Sequence, residues 1–186
     1  MSESPARARV LSSRSVHAGR VVQLRVEEIE LPSGRRSTLE LVHHPGATAI
    51  VPIDAEGNVL MVRQYRHATG GEWLLEVPAG KLDPGETPEV CAARECEEET
   101  GFRPGELTPL GWIWTTPGFT DERIWLFLAR GLAAGRQDLQ DDEALSVERI
   151  PFAEAVARAL DGGIDDAKSI AALLRAALYC GLLGAG

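Results

Sequence analysis

The sequence predicts an α/β (α+β) fold in which a β-sheet is sandwiched between helices, with an antiparallel β unit at the N-terminus. Residues 49–51 (AIV) and 59–62 (VLMV) are apolar without alternation, as in strands covered on both faces. The segments FAEAVARAL and DDAKSIAALLRAALYCGLL repeat Ala, Leu and Ile at three- and four-residue spacing, which is typical of helices. The first 45 residues instead mix β-branched and polar residues around a turn.

The N-terminal β unit is predicted to span residues 1–45. After a short polar leader, residues 19–31 (GRVVQLRVEEIEL) have an extended pattern, and residues 37–44 (STLELVHH) resume it. Residues 32–35 (PSGR) supply turn chemistry between them, because Pro fixes φ and Gly accepts a left-handed conformation. Two extended segments joined by a short turn indicate an antiparallel pair.

The main domain is predicted to span residues 46–186 and to open with two strands. ATAIVPID and NVLMVRQYR flank the turn DAEG, so we expect these strands to form a hairpin. Strand-like patterns return at residues 107–115 and 122–130. Residues 135–144 (GRQDLQDDEA) form an acidic loop whose length is usually associated with function.

Between these strands the pattern predicts a helix over residues 88–100. Thr87 is suited to cap its N-terminus, and Pro88 is suited to its first position, where the missing N–H costs nothing. Gly101 can close the helix in a left-handed conformation.

Composition narrows the classes of partner. The chain has 186 residues, enough for a core that needs no metal or disulfide to fold. Its formal net charge of −9 argues against nucleic acid and anionic membranes, which need a clustered positive field, and favours a small ligand. The three cysteines form no CxxC pair, and no apolar run is long enough for a signal peptide or a membrane span. We therefore expect a reduced, cytoplasmic setting.

The predicted helix carries a cluster of carboxylates. At about 100° per residue, Glu95, Glu98 and Glu99 fall within roughly 100° of arc. Such a charge run is usually a solvated face. Here Glu95 and Glu99 are four residues apart, where like charges repel, and no Lys or Arg lies one turn away to relieve them. A divalent cation would relieve the pair, and an all-oxygen ligand set favours Mg²⁺ or Mn²⁺ over zinc.

Two stretches on and before this helix carry a family resemblance. They are GKLDPGE, which runs from Gly80 to Glu86, and RECEEETGF, which begins at Arg94. Together they resemble the Nudix box, GX5EX7REUXEEXGU, in which U is an apolar residue. Every fixed position matches, and Cys96 is an unusual but apolar occupant of the first U position.

The Nudix resemblance implies a mixed β-sheet sandwiched between helices, with a loop-helix-loop that holds the metal. The glutamates that match the family's metal ligands are Glu95, Glu98 and Glu99, and the backbone carbonyl of Ala79 matches a further ligand. Glu86 and Arg94 are implied to hold the loop and the helix together. Gly80 and Gly101 are interpreted as positions where a Cβ would interfere.

Three flanking segments resemble the ADP-ribose pyrophosphatase subfamily. Glu122, in TTPGFTDE, matches a substrate contact, although a plain Pro-Gly turn is the other interpretation. Arg66, in VRQYR, matches an arginine that meets the diphosphate, the other interpretation being an edge-strand arginine in water. Glu143, in QDDEALSV, matches a late glutamate that reaches the metal site; Asp141 stands where some relatives place another glutamate. Either Glu143 or Glu98 is the candidate for activating water.

The resemblance implies Mg²⁺-dependent hydrolysis of ADP-ribose to AMP and ribose 5-phosphate by a homodimer whose N-terminal strands help to build the partner's nucleobase site. Two alternatives stay open, namely a hydrolase of another nucleotide sugar such as GDP-mannose and a non-catalytic domain that senses ADP-ribose. His43, His44 and His67 are interpreted as strand-end residues. The four tryptophans, Trp73, Trp112, Trp114 and Trp125, are interpreted as core residues, one of which could stack on adenine.

Overall fold

The computed structural model describes residues 6–140 and 144–184. The chain forms two compact units, one of Met1–Pro45 with Trp114–Arg123 and the other of Gly46–Ile113 with Ile124–Gly186. No helix in the described ranges is long and apolar enough to cross a membrane.

The first unit contains an antiparallel sheet of β1 (Arg9–Ala18), β2 (Gln23–Glu30) and β3 (Arg36–His43), in that order. The predicted pairing of β2 with β3 is confirmed, with Val26 opposite Glu40. The interpretation of the residues before 19 as a leader is wrong, because β1 occupies them. Nearly all of β1 is exposed, so it is held by backbone pairing with β2 and leaves no burial pattern in the sequence.

Three helices and the remaining strands form the second unit, except that Trp114 of β9 and Arg123 of β10 belong to the first unit. In chain order the elements are β4 (Ala47–Pro52), β5 (Asn58–Arg66), a 3-10 turn (His67–Thr69), β6 (Glu72–Glu76), β7 (Ala79–Lys81), α1 (Pro88–Thr100), β8 (Phe102–Arg103), β9 (Glu106–Trp114), β10 (Arg123–Arg130), β11 (Ala133–Ala134), β12 (Leu145–Pro151), α2 (Phe152–Asp161) and α3 (Ala167–Tyr179).

The sheet β7-β4-β10-β9 is mixed and is covered on both faces. β10 runs parallel to β4, whereas β7 pairs with β4 antiparallel. Ile50 of β4 packs in a cluster with Cys96 of α1, while Val51, which points the other way, packs with Leu173 of α3. The predicted sheet between helices is therefore confirmed.

The predicted hairpin of β4 with β5 is wrong. A tight turn does begin it, since Asp54 N–H donates to the Asn58 carbonyl at 2.9 Å and Ile53 forms an isolated bridge with Val59. Beyond that bridge the strands diverge, and β5 pairs with β12 and β6 in a second, antiparallel sheet. A strand that is apolar on both faces can pair with any neighbour, so the turn alone did not determine its partner.

Candidate active site

Helix α1 begins and ends where its capping residues predict. Thr87 accepts the Val90 N–H on its side chain at 3.4 Å, and Pro88 takes the first position. Gly101 ends the helix with φ at 77°, a left-handed conformation that Gly adopts without steric cost. The predicted span of residues 88–100 is confirmed.

One side of α1 is fixed against the mixed sheet by small apolar residues. Cys91, Ala92 and Cys96 are fully buried. Burial raises the pKa of each thiol to about 12, so both cysteines pack as neutral groups. Because this face is docked, the carboxylates on the adjacent face have a fixed direction.

The three candidate metal ligands differ in exposure. Glu95 is 3% exposed and Glu99 is 1% exposed, whereas the side chain of Glu98 is 32% exposed. Glu99 accepts the backbone N–H of Ala79 at 3.1 Å, so the residue whose carbonyl is the fourth candidate ligand lies directly beside it. Two buried carboxylates on one helix are costly unless cations or donors offset their charge.

Arg94 provides part of that offset. Its Nη1 donates to Glu95 at 2.7 Å and to Glu98 at 3.0 Å. The expectation that no Lys or Arg relieves Glu95 and Glu99 is therefore wrong for Glu95, which its direct neighbour Arg94 contacts. Arg94 also reaches Glu98, one turn away. Repulsion between the carboxylates therefore does not by itself require a metal, and the all-oxygen ligand set is what favours one.

The same arginine ties the preceding loop to the helix. Arg94 donates from Nε and Nη2 to the two oxygens of Glu86, both at 2.9 Å, in a bidentate ion pair. Hydrogen bonding to Arg94 lowers the pKa of Glu86 to about 2. A third contact, from Nη2 to the Lys81 carbonyl at 3.1 Å, extends the link to β7.

Gly80 provides the space that Glu95 occupies. A Cβ built on Gly80 would lie 1.9 Å from the Glu95 carboxyl carbon, far inside van der Waals contact. Glu95 is buried and held by Arg94, so it has little room to move away. The site depends on the absence of a side chain at position 80.

Replacing Gly80 with Ala is expected to lower the free energy of unfolding by about 1–3 kcal/mol, the usual cost of overpacking a filled site. The fall in kcat should be larger than the loss of folded protein explains, because Glu95 must leave its position. Thermal unfolding and kcat measured together check both effects. Gly184→Ala is the matched control, since its Cβ would meet nothing within 4 Å. Wild-type kcat in Gly80→Ala would contradict the expected role of Glu95.

Arg66 lies at the end of β5 and is bound by a buried acid. Its Nε and Nη2 donate to the two oxygens of Glu76 at 2.8 and 2.7 Å. Within the described residues its Nη1 makes no hydrogen bond, and the side chain is 36% exposed. The hydrogen bond to Glu76 raises the pKa of Arg66, with a smaller contribution from the charge of Glu99. Arg66 is thus an oriented cation, within electrostatic range of the carboxylate helix, with an edge left for an anion.

The acidic loop after β11 is tied at both ends to these elements. Asp138 N–H donates to the Glu98 carbonyl at 2.9 Å, and Gln137 donates its side-chain amide to the Glu99 carbonyl at 2.7 Å. At the other end Tyr65 N–H, next to Arg66, donates to the Ala144 carbonyl at 3.0 Å. Asp141 and Glu143 themselves lie outside the described residues.

Glu122 belongs to the first unit, where histidines meet the acids of the TTPGFTDE segment. His44 Nδ1 lies 3.4 Å from a Glu122 oxygen, and His43 Nδ1 lies 2.5 Å from Asp121. Burial opposes ionisation of Asp121, but hydrogen bonds from His43 and the His44 backbone outweigh it, so the pKa of Asp121 is lowered. The interpretation as strand-end residues is confirmed for His43, which ends β3, and His44 follows it. Their contacts with acids 78 residues away leave no local signal in the sequence.

The first unit also has a pocket of about 340 Å³, which includes Leu41, His43, Trp114 and Asp121 among its lining residues. Trp114 is 42% exposed there, and Arg123 stacks over its ring at 4.6 Å. The core interpretation is wrong for three tryptophans, since Trp112 is also 42% exposed and Trp73 is 51% exposed. Trp125 does pack against the core.

The residues of the second unit fit a hard divalent cation by their chemistry. Glu95, Glu98, Glu99 and the Ala79 carbonyl offer only oxygen, and the glycine at position 80 leaves the space that the Glu95 carboxylate occupies. Among residues 6–140 and 144–184, no three or more His, Cys, Asp or Glu side chains are arranged so that they could hold a metal ion together. With Arg94 bonded to two of the glutamates, binding of a cation would compete with the guanidinium for the same oxygens.

Comparison with known proteins places the chain in a family. The model of the NUDIX domain matches residues 42–173, most of the chain. The chain therefore belongs to the NUDIX domain family, as the motif on α1 indicated.

Two curated relatives share most of the chain. The chain is 37% identical over 167 residues to an ADP-ribose pyrophosphatase of Bacillus subtilis (strain 168), with 89% of this chain and 90% of the relative covered. It is 42% identical over 167 residues to an ADP-ribose pyrophosphatase of Mycobacterium tuberculosis (strain ATCC 25618 / H37Rv), with 88% and 80% covered. A GDP-mannose pyrophosphatase of Klebsiella pneumoniae subsp. pneumoniae is 36% identical over 136 residues, with 67% of each chain covered.

A solved structure described as an ADP compounds hydrolase superposes with a TM-score of 0.84, covering 98% of this chain and 99% of the other at 24% identity. This similarity supports the fold.

Proposed function

We propose that the protein is a Mg²⁺-dependent hydrolase that cuts the diphosphate bond of ADP-ribose to give AMP and ribose 5-phosphate. The observation that carries this proposal is that Glu76, which orients Arg66, lies three residues before Ala79, whose N–H binds Glu99 on the carboxylate face of α1. A cation for phosphate oxygens and a set of oxygen ligands for a metal are what diphosphate hydrolysis needs. The two ADP-ribose pyrophosphatases that match most of the chain support the choice of substrate.

In this proposal the candidate ligands and Arg66 have separate roles. Glu95, Glu98, Glu99 and the Ala79 carbonyl hold the metal, with Glu143 as a further ligand. When bound, Mg²⁺ polarises phosphoryl oxygens and lowers the pKa of bound water. Arg66 binds diphosphate oxygens with the edge of its guanidinium that faces away from Glu76.

The proton of the attacking water has two candidate acceptors, Glu98 and Glu143. Glu98 is the more exposed of the three helix glutamates and so has room to contact water. The choice of Glu143 is supported by hydrogen bonds of residues on either side of it in the sequence. Asp138 N–H donates to the Glu98 carbonyl, and Tyr65 N–H donates to the Ala144 carbonyl. Arg94 does not take the proton; it orients Glu95 and Glu98.

A panel of nucleoside diphosphate compounds with Mg²⁺ tests the substrate. ADP-ribose is expected to have the highest kcat/KM, with AMP and ribose 5-phosphate as products identified by mass spectrometry. GDP-mannose is the second candidate, because a GDP-mannose pyrophosphatase is also similar to this chain. Release of GMP from GDP-mannose at a higher kcat/KM than release of AMP would contradict the ADP-ribose proposal.

A non-catalytic ADP-ribose sensor is the remaining alternative. All the carboxylates of the motif are present, and Arg94 and Glu86 hold the loop to the helix. A sensor would bind ADP-ribose without turnover, so the same panel separates it from an enzyme.

We further propose that residues 1–45 form the dimerisation region of a homodimer, with residues 46–186 as the hydrolase domain. Exposed apolar side chains on the N-terminal strands support it, because Val10, Val16 and Leu39 are 55%, 48% and 36% exposed. Light scattering is expected to give twice the mass of one chain. Val16→Asp should shift that mass toward the monomer, while Leu160→Asp, at a 63% exposed position of α2, should not. A monomeric wild type would contradict the proposal.

A further inference from the structure

A buried acid connects Arg66 to helix α3. Glu76, at the end of β6, is 1% exposed. Its Oε1 accepts Arg66 Nε, and its Oε2 accepts both Arg66 Nη2 and Lys168 Nζ. One carboxylate oxygen is therefore shared by two cations, which lie on β5 and in the first turn of α3. A contact between residues 92 positions apart gives no motif in the sequence.

Lys168 changes the charge balance around Glu76. Burial works to raise the pKa of Glu76, but the hydrogen bond from Arg66 and the charge of Lys168 outweigh it, so its pKa is lowered and the group is ionised. Without Lys168, the charge of Glu76 would neutralise Arg66 alone. With Lys168 on Oε2, Arg66 shares that anion. Asp166 offsets part of the lysine's charge, and the remainder strengthens the field that Arg66 presents to an incoming diphosphate.

Lys168 is itself held in place by the start of α3. Asp166, which caps that helix, accepts Lys168 Nζ at 3.0 Å and Ser169 N–H at 2.9 Å. Ser169 Oγ donates to the same acid and accepts the Val77 N–H at 2.8 Å, one residue after Glu76. Lys168 is only 13% exposed. Asp166 thus holds Lys168, and Ser169, the next residue, is hydrogen-bonded to Val77, the residue after Glu76. These contacts fix Lys168 and Glu76 relative to one another.

We propose that Lys168 is a positioning residue for Arg66, acting through buried Glu76 to set the direction and the charge that Arg66 presents to the diphosphate. The inference rests on the proposed function, in which Arg66 binds that group. A purely structural ion pair that docks α3 on β6 is the competing explanation. The two differ because only the first makes the effect of Lys168 depend on Arg66.

A double-mutant cycle separates these explanations. Lys168→Met keeps the length of the side chain and removes its charge. We expect it to lower kcat/KM for ADP-ribose about tenfold and to raise the Kd for the α,β-methylene analogue of ADP-ribose, measured by calorimetry in EDTA, by about as much. In an Arg66→Ala background the same substitution should change either value by no more than about twofold. Lys168→Arg should restore most of the loss.

Controls keep failure of folding apart from failure of the inference. Arg158→Met removes an exposed helix ion pair with Glu154 and should leave both values unchanged. Lys168→Gln should also lower kcat/KM and raise the Kd. It replaces Lys168→Met if thermal unfolding shows that the Met variant is not folded. The inference would be overturned if Lys168→Met lowered kcat/KM by the same factor with and without Arg66. It would also be overturned if Lys168→Met lowered Tm and left the Kd unchanged. A wild type that neither hydrolyses nor binds these compounds would overturn the proposed function instead.

Discussion

Glu98→Gln is expected to lower kcat for ADP-ribose by about 10²–10⁴-fold, the usual range for removing a group that transfers a proton, while the protein stays folded. Glu98 is a candidate metal ligand and base, and Gln is neutral at similar size. Its partial exposure means that no buried charge is left without a partner by the change. Initial rates over a range of Mg²⁺ concentrations measure the effect, and the Mg²⁺ concentration at half-maximal rate should rise.

Glu97→Gln is the matched control for that experiment. Glu97 is on the same helix, but it accepts from Arg103 at 2.8 and 2.9 Å and receives no hydrogen bond from Arg94 among those described. Its kcat should stay within about twofold of wild type, as for most surface changes. Glu143→Gln, measured beside them, assigns the base: because both glutamates are candidate ligands, the variant whose kcat stays low when Mg²⁺ is saturating is the one that has lost the base. Full activity in Glu98→Gln would show that the acidic face is misassigned.

Helix α1 could be predicted to the residue because its boundaries are set locally. The hydroxyl of Thr87 binds an N–H three residues away, and Gly101 takes a conformation that few other residues tolerate. The Nudix motif covers the same stretch, so the candidate ligands followed from it. Local rules of this kind operate within about one turn of chain.

The strand pairing could not be predicted in the same way. β4 and β5 share a turn but belong to different sheets, because the pairing of β4 with β10 joins Ile50 to Phe127 across 77 residues. β1 was missed for the opposite reason: it is a real strand with hardly any buried side chain. Apolar periodicity reflects burial, so it does not reveal a strand that pairs with its neighbour without burying side chains.

The contacts that orient the site were the least visible in the sequence. Arg94 was placed in the motif, yet its grip on Glu95 and Glu98 follows from the reach of its side chain along the helix. Glu76 and Lys168 were not candidates at all, since each is an ordinary residue until folding brings them together. The motif identifies candidate ligands, whereas the residues that orient them are identified only by contacts in the tertiary structure.

Arg66→Lys is expected to lower kcat/KM for ADP-ribose by about 10–100-fold, equivalent to about 1.4–2.8 kcal/mol of transition-state stabilisation. Lys keeps the positive charge, but it cannot hold Glu76 through two parallel hydrogen bonds and present a further donor edge to a diphosphate. The contact should be lost from the ground state, which raises KM, and should be missed more in the transition state, where charge builds up on the diphosphate, which lowers kcat. Steady-state kinetics with ADP-ribose measure the two values.

Arg63→Lys is the control that decides whether this loss reflects binding or only a broken ion pair. Arg63 is on the same strand and makes a comparable pair with Glu148, through Nε at 2.5 Å and Nη2 at 3.3 Å. Its side chain points to the opposite face of β5, because successive residues of a strand alternate. Arg63→Lys should therefore keep kcat/KM within about twofold of wild type, with a smaller change in Tm than Arg66→Lys, because Glu148 is 35% exposed and Glu76 is 1% exposed. Equal losses of kcat/KM in both variants would mean that strand β5, and not the guanidinium of Arg66, governs activity.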